Sequence, residues 1–218
     1  MMLLYAVIPA DASPPEVRGL AGHRLETIRT ASAAVIVEER PDRPGATRDE
    51  SLAFAKIICD LATAIPVLPI RFPTVLPTGS AVLAELQAHE AGWHRRLIEL
   101  AGLSEVVIRA QPPEADHEAD PASRSSGTSY LVSRAAAMQQ RDTSIAEIGE
   151  LVRDWAREIK VLRSQQGVRI ACLVSDADVP QIRHAVDDWQ QARDGREAVV
   201  SGPWPPFSFV EPQEALSA

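Results

Sequence analysis

The sequence predicts an α+β protein of two small domains, the first of them a ferredoxin-like sandwich. The chain has 218 residues, of which 45% are hydrophobic and 24% charged, which is enough apolar material for a sizeable buried core. Segments with strand and helix patterns follow one another in both halves of the chain. Between the halves, residues 111–127 are mainly proline, serine and acidic residues, a composition typical of linkers. We therefore expect domains at residues 1–110 and 128–218.

The N-terminal half contains apolar and alternating runs that predict strands. These runs are Leu3–Ile8, Leu25–Thr30, Ala33–Glu38 and Val106–Ile108. A short turn or helix is expected around residues 16–20. The apolar run from Ile65 to Pro73 contains three prolines, and proline cannot donate to a strand ladder. This run is therefore expected at a sheet edge or in an extended crossover.

Two helices are expected in the same half. Thr47 or Asp49 stands where a residue would cap the first helix, whose apolar face is expected to hold Leu52, Ala55, Ile58 and Cys59. The second helix follows Thr78 and Ser80, with an apolar stripe at Leu83, Leu86, Trp93, Leu97 and Leu100. Gly102 stands where a glycine commonly ends a helix.

The C-terminal half is expected to open with a strand at Thr128–Ser133. A helix is predicted over residues 144–166, with a stripe at Ile148, Leu151, Val152, Trp155, Ile159 and Leu162. The remaining expected elements are a strand at Val168–Val174, a helix at Val179–Gln191 and a last strand at Arg196–Ser201. The chain then passes into a tail rich in proline and aromatic residues, Gly202–Val210.

Composition excludes several classes of function. The formal net charge is -8, so the chain offers no general attraction to phosphate backbones, and nucleic acid is not expected as a partner. No run approaches the roughly 18 apolar residues of a membrane helix, and no membrane partner is expected. The apolar N-terminus lacks the basic region of a secretory signal. Cys59 and Cys172 have no CxxC setting and are interpreted as small hydrophobes in a reducing compartment.

Residues that suggest a metal site are better interpreted otherwise. His89 and His94 are five positions apart, which points their rings in different directions on a helix. With Glu85 and Glu90 they are therefore expected at the surface or its rim. Asp176 and Asp178 resemble the start of a cation loop, but Val179 and Pro180 interrupt that pattern. One of these aspartates is expected to cap the helix that follows.

No arrangement of residues predicts catalysis or a cofactor. Cys59 has no histidine near it in sequence, so a catalytic partner would have to be supplied by the fold. The chain contains none of the GxSxG, GxGxxG or GxxxxGK[ST] patterns. We expect a protein without catalytic residues, metal or cofactor.

Two segments are richer in unusual residues than packing requires. Arg71 lies among prolines and apolar residues at Pro66–Phe72, and a buried structural role for it is favoured over ligand binding. The tail places Trp204, Phe207 and Phe209 among four prolines or glycines that restrict or shape the backbone. It suits docking between the two domains, or binding to a groove on a partner, and the first is favoured.

These segments resemble the gas vesicle protein F/L family (GvpF/GvpL) over nearly the whole chain. The resemblance is carried by Leu4–Val7, by Pro66–Phe72 with Thr74 and Val75, and by Gly202–Val210; the strand Ser129–Val132 also looks like the start of that family's second domain. Two positions depart from the family pattern. Pro73 replaces a usual glycine, and Phe207 replaces a common tyrosine, which removes any role of that hydroxyl.

The resemblance implies a two-domain fold and a non-catalytic, cytoplasmic accessory protein associated with gas vesicles. These vesicles are hollow protein shells built mainly from a small, very hydrophobic subunit (GvpA). The implied partners are this major shell subunit and other gas vesicle accessory proteins. A soluble protein that covers an apolar subunit would prevent its aggregation.

Covering the subunit requires either an exposed sheet edge or an apolar helix face. The strand that begins at Thr128, with Tyr130, and the helix face around Trp93 are the expected contact sites. The alternative is a small-molecule-binding or enzymatic α+β protein with a cleft between the domains lined by Arg71, His94 and Asp176. A homologue with a different assembly role also stays open.

Overall fold

The computed structural model describes residues 1–111, 139, 143–164, 167–193 and 197–210. Their strands are β1 (Met2–Pro9), β2 (Glu26–Arg29), β3 (Ala33–Glu39), β4 (Leu68–Pro69), β5 (Val75–Leu76), β6 (Leu103–Gln111), β7 (Ala156–Ser164), β8 (Gly167–Ser175) and β9 (Glu197–Trp204). Their helices are α1 (Arg48–Ala62), α2 (Gly79–Glu99), α3 (143–151) and α4 (Val179–Gln191), with a 3-10 turn at Asp176–Asp178. The mixture of helices and two sheets confirms the α+β class.

The chain divides into two compact units. Unit 1 comprises Met1–Leu103 and the segment that begins at Trp204, and unit 2 comprises Ser104–Pro203. Of the expected linker, only Gln111 lies among the described residues, where it ends β6. The expected strand at Thr128–Ser133 lies outside them entirely.

Unit 1 is built on an antiparallel sheet in the order β2-β3-β1-β4, with β5 also pairing with β1. Strand β1 is central and buried along almost its whole length, as the apolar run Leu3–Ile8 predicts. Alternate residues of β1 and β3 pack against α1 in one core cluster, including Leu3, Tyr5, Ile8, Ile36, Phe54, Ile58 and Leu61. Leu4, Val7, Val35 and Val37 lie outside this cluster but are buried as well. Helix α2 contacts all five strands of this sheet.

Helix α1 begins with a capping box. The Thr47 side chain accepts from the Glu50 N–H at 3.2 Å, and the Glu50 carboxylate accepts from the Thr47 N–H at 3.1 Å. The cap at Thr47 is thus confirmed; of the expected apolar face, Ile58 is buried, Ala55 and Cys59 are partly buried, and Leu52 is wrong. The buried residues are Phe54, Ile57, Ile58 and Leu61, and Leu52 is 60% exposed. The four buried residues follow the helical spacing i, i+3, i+4, i+7, whereas the expected set lies at i, i+3, i+6 and i+7, and the observed set also has the larger side chains.

The proline-containing run lies at the edge of the sheet, as expected. Strand β4 pairs with β1 at only two positions, and the Ile70 N–H continues the contact by donating to the Tyr5 carbonyl at 2.9 Å. The peptide bonds before Pro73 and Pro203 are cis. Residues 16–20 form no helix; they lie in the irregular connection between β1 and β2.

Unit 2 contains a sheet in the order β7-β8-β6-β9. Its core joins the sheet to α3 and α4 through apolar residues that include Val106, Ile108, Ile148, Val152, Cys172, Ile182, Val186 and Trp189. Strand β6 therefore belongs to the second sheet, and its expected place as the closing strand of the N-terminal domain is wrong. Its alternate apolar residues, Val106, Ile108 and Ala110, supply one face of the unit 2 core.

The predicted helix at 144–166 is the largest error. Helix α3 ends at residue 151, a turn follows, and Ala156–Ser164 forms strand β7, registered with β8 from Ala156↔Val174 to Ser164↔Gly167. The apolar spacing continues at helical intervals through Ile159 and Leu162, so periodicity alone favoured a helix. Pairing with β8 overrides it. The predicted β8 strand, α4 helix and final strand are confirmed, and α4 spans the expected residues Val179–Gln191.

Candidate partner-binding surface

The tail after β9 is fastened to helix α2 within unit 1. Phe209 is completely buried, and its carbonyl accepts two hydrogen bonds from Arg96, one from Nε at 3.1 Å and one from Nη2. Arg96 lies in the last turn of α2 and also pairs with Glu99 at 2.9 Å. Because guanidinium donors form strong hydrogen bonds, Arg96 fixes the tail to the C-terminal end of α2.

The tail folds into a tight turn framed by prolines. Pro205 and Pro206 are buried, and their carbonyls accept hydrogen bonds from the N–H groups of Phe207 at 2.7 Å and Phe209 at 3.0 Å. Proline fixes its own backbone φ angle, so this segment loses little further freedom when it binds. The turn leaves Phe207 38% exposed and Trp204 41% exposed. We call residues 204–210, together with the last turn of α2, the tail surface.

Helix α2 contributes one exposed apolar residue to the tail surface, Ile98, which is 64% exposed. Trp93 and Leu97 lie on the opposite, buried face with exposures of 9% and 4%. The Trp93 indole lies against the His89 ring, with the centroids 5.4 Å apart. Its burial removes Trp93 from the accessible surface in this conformation, so its expected role in partner binding is an untested prediction.

The other residues expected at a binding or structural site separate into different environments. Phe72 packs on Phe54 in the unit 1 core, with ring centroids 4.8 Å apart. Arg71 is exposed, and its side chain has no hydrogen bond or ion pair with the residues that the structure describes. A buried structural role for Arg71 is therefore wrong. Thr128 and Tyr130 lie outside the described residues.

The histidines and glutamates of α2 make pairwise structural contacts. His89 Nε2 lies 3.0 Å from Glu85 Oε1. Glu90 Oε1 accepts from the Ser32 N–H and hydroxyl at 2.7 Å each, and the His94 ring contacts the Ser32 carbonyl at 3.2 Å. Within the described part of the chain, no group of three or more His, Cys, Asp or Glu side chains is arranged to hold a metal ion.

Asp176 and Asp178 precede α4, and one of them is expected to cap this helix. Asp178 occupies the N-cap position without a side-chain capping hydrogen bond, and Asp176 instead accepts from the Ser104 hydroxyl. The Ser175 hydroxyl caps the preceding 3-10 turn by accepting from the Ala177 N–H at 3.4 Å. Asp178 therefore stands at the expected cap position, but neither aspartate forms the expected side-chain capping hydrogen bond to α4.

The thiols are poorly suited to nucleophilic catalysis. Burial raises the pKa of Cys172 to about 12, and burial next to Asp60 also raises the pKa of Cys59. A thiolate is thus disfavoured at both positions. No hydrogen bond or ion pair joins Arg71 to His94 in unit 1, and Asp176 belongs to unit 2. Arg71, His94 and Asp176, the described residues named for the enzymatic alternative, are therefore not assembled within one unit.

Arg96 and Ile98 are the residues of the tail surface that sequence reasoning missed. Ile98 falls outside the stripe of Val82, Leu86, Trp93 and Leu97, so its exposure follows from the helical phase once that stripe is known. Arg96 carries no comparable signal, because the carbonyl it binds is 113 positions away in the chain.

Both the sequence and the fold of this chain are similar to those of known proteins. The chain is 28% identical to gas vesicle protein F of Streptomyces sp. (strain CB03234), over 91% of this chain and 94% of that protein. It superposes with a TM-score of 0.77 on the crystal structure of the gas vesicle protein GvpF from Anabaena sp. PCC7120, at 17% identity, covering 96% of this chain and 95% of that one. The crystal structure of GvpF from Microcystis aeruginosa gives a TM-score of 0.74 at 15% identity, covering 96% of this chain and 98% of that one.

No helix among the described residues has the length and apolar character needed to span a bilayer.

Family membership follows from the sequence match. The family model described as "Gas vesicle synthesis protein GvpL/GvpF" matches residues 1–211. The chain belongs to this GvpL/GvpF family and has a role in gas vesicle formation.

Proposed function

We propose that this chain is a non-catalytic accessory protein that binds the hydrophobic major shell subunit (GvpA type), and other accessory proteins, through the tail surface. The observation that supports this most directly is the exposure of Phe207 on a turn fastened by Phe209 and Arg96. Trp204 and Ile98 add exposed apolar area on the same segments.

The chemistry of these side chains suits an apolar partner. Aromatic residues are enriched at the centres of protein interfaces, where a few of them supply most of the binding free energy. A turn stiffened by Pro205 and Pro206 holds Phe207 in place before binding, which reduces the entropy lost on association. A small subunit with a large apolar surface aggregates unless another protein covers that surface.

Strand addition is a weaker route in unit 1. Strands β4 and β5 have two residues each, and β4 contains Pro69, which has no N–H to donate. The expected strand at Thr128 lies outside the described residues and stays a separate prediction. The tail surface is therefore the contact site that we favour.

Co-expression of the major shell subunit with this chain tests the proposal. We expect the shell subunit to stay in the soluble fraction and to be retained with wild type in a pull-down. Phe207→Ala should reduce retention about tenfold or more, the size of a hot-spot loss. Leu52→Ala is the matched control, because it also truncates an exposed apolar side chain of unit 1 (60% exposed) but lies on α1.

The possible outcomes test the proposed function and the proposed contact site separately. If wild type retains the shell subunit and Phe207→Ala retains it equally well, the function stands and the tail surface is wrong. If wild type neither retains nor solubilises the subunit, shielding of the shell subunit by this chain is wrong.

A further inference from the structure

Two side chains of helix α4 cover one edge of strand β9 in unit 2. Arg183 donates from Nη1 to the Val200 carbonyl at 3.4 Å and from Nη2 to the Gly202 carbonyl. Gln190 accepts from the Ala198 N–H through Oε1 at 2.7 Å. Arg183 and Gln190 are about two helical turns apart, so they lie on the same face of α4.

The three backbone groups that they bind point in one direction. In an antiparallel strand, the N–H and C=O of one residue face the same neighbour, and alternate residues face the same way. Residues 198, 200 and 202 therefore share one edge of β9. Strand β9 is the last strand in the order β7-β8-β6-β9 of the described sheet, with β6 on its other side. The covered edge is the one that faces away from β6.

We propose that Arg183 and Gln190 close this edge and so prevent a second copy of the chain from pairing with β9. An open edge strand presents unpaired N–H and C=O groups to any other strand. On β9 the hazard is increased by Val199, an apolar residue that is 46% exposed. Charge-assisted hydrogen bonds from a guanidinium occupy two of the carbonyls that an incoming strand would need.

The occupant excluded in this way is a second copy, because two copies would present the same edge to each other in an isologous antiparallel pair. This inference goes beyond the proposed function. It concerns β9 and α4 of unit 2, whereas Phe207, Arg96 and Ile98 belong to unit 1. A change in self-association is therefore measured independently of binding to the shell subunit.

The test is the solution mass of Arg183→Met by sedimentation over a range of protein concentrations. Methionine keeps much of the aliphatic stem and removes all donors. We expect the mass of this variant to rise with concentration above that of wild type, towards one additional copy per particle. Arg95→Met is the matched control, since it removes an exposed arginine of α2 and should leave the mass at the wild-type value.

A second substitution identifies the edge as the contact. Adding Val199→Lys to Arg183→Met should return the mass to the wild-type value, because lysine on an edge strand opposes pairing. If Arg183→Met proves insoluble, Gln190→Ala takes its place and should show a smaller rise that Val199→Lys also reverses. A folded variant with the wild-type mass at every concentration, or an association that Val199→Lys leaves intact, would overturn the proposal.

Discussion

Tyr5 donates a hydrogen bond to Glu38 Oε2 at 2.8 Å, between two side chains that are completely buried in unit 1. Tyr5 occupies the β1 bulge between Leu4 and Ala6. Its hydroxyl also accepts from the Leu20 N–H at 2.9 Å, and Glu38 Oε1 accepts from the Ala21 N–H at 2.9 Å. Burial raises the pKa of the Tyr5 phenol, so the proton that it donates is retained. The pair holds the long connection between β1 and β2 against the sheet.

Glu38→Gln should lower the free energy of unfolding by about 1–3 kcal/mol, the cost of leaving a buried polar group without a partner. A carboxylate accepts on both oxygens, whereas an amide presents an NH₂ group to either the Tyr5 hydroxyl or the Ala21 N–H, which are both donors here. Urea unfolding measures the loss. Glu16→Gln makes the same chemical change at a side chain that is 91% exposed and should alter the stability by less than about 0.5 kcal/mol. Equal effects of the two changes would contradict the buried role of Glu38.

Gly19→Ala should also destabilise unit 1, because the carboxyl group of Glu38 fills the space beside Gly19. A Cβ at Gly19 would lie 2.3 Å from Glu38 Cδ and 2.4 Å from Oε1. The carboxylate cannot move aside without breaking its bonds to Tyr5 and Ala21, so we expect a loss of about 1–3 kcal/mol in urea unfolding.

Gly92→Ala is the matched control for this change and should have the opposite sign. Gly92 lies inside α2, and an added Cβ would meet nothing within 4 Å. Alanine should therefore stabilise the chain by about 0.5–1 kcal/mol. If Gly19→Ala stabilises the chain, the connection between β1 and β2 can shift to make room for the added methyl group at little cost in free energy.

The elements predicted correctly are those fixed by neighbouring residues. The spacing Thr47-x-x-Glu50 specifies a helix start within four positions, and Pro180 marks the first turn of α4. Tyr5 and Glu38 carried no such signal. In the sequence, Tyr5 is an aromatic residue inside one strand and Glu38 an acid near the end of another, and only the pairing of β1 with β3 brings them together. Strand β7 could not be predicted for the same reason, because it is a strand only through its pairing with β8.

Arg96→Met should release the tail while the rest of unit 1 stays folded. The change removes both hydrogen bonds to the Phe209 carbonyl, whereas the core of α1 and the sheet does not depend on them. We expect amide hydrogen exchange at Phe207 and Phe209 to become at least about tenfold faster, and exchange in β1 and β3 to be unchanged. Arg95→Met should leave both regions as in wild type. Unchanged protection of the tail amides would show that Arg96 is not needed to hold the tail.

The candidate surface was predicted only in part for the same reason. The proline and aromatic content of the tail marked it as unusual, and the arrangement of Phe209 inward with Phe207 outward follows from its turn. Nothing local to the tail identified Arg96 of α2 as the residue that binds it. Contacts between distant segments arise from the packed fold, and a single sequence does not encode them as a local pattern.

Glu90 gives unit 1 a pH-dependent contribution to stability. Hydrogen bonds from the Ser32 hydroxyl and N–H hold the pKa of Glu90 below its ordinary value of 4.5. The ionised form of Glu90 is therefore favoured more in the folded chain than in the unfolded one. Its contribution to the free energy of unfolding is complete above pH 4.5 and disappears as the pH falls through the lower pKa that Glu90 has in the folded chain.

Glu90→Gln should accordingly be less stable than wild type near neutral pH, with a difference that shrinks steadily as the pH falls below 4.5. Urea unfolding of both proteins across this range measures the difference. Glu16→Gln, which changes an exposed acid with a single contact at 3.8 Å, should show no such trend. If the difference between wild type and Glu90→Gln stays constant down to strongly acidic pH, ionisation of Glu90 contributes nothing to holding the β2–β3 turn against α2.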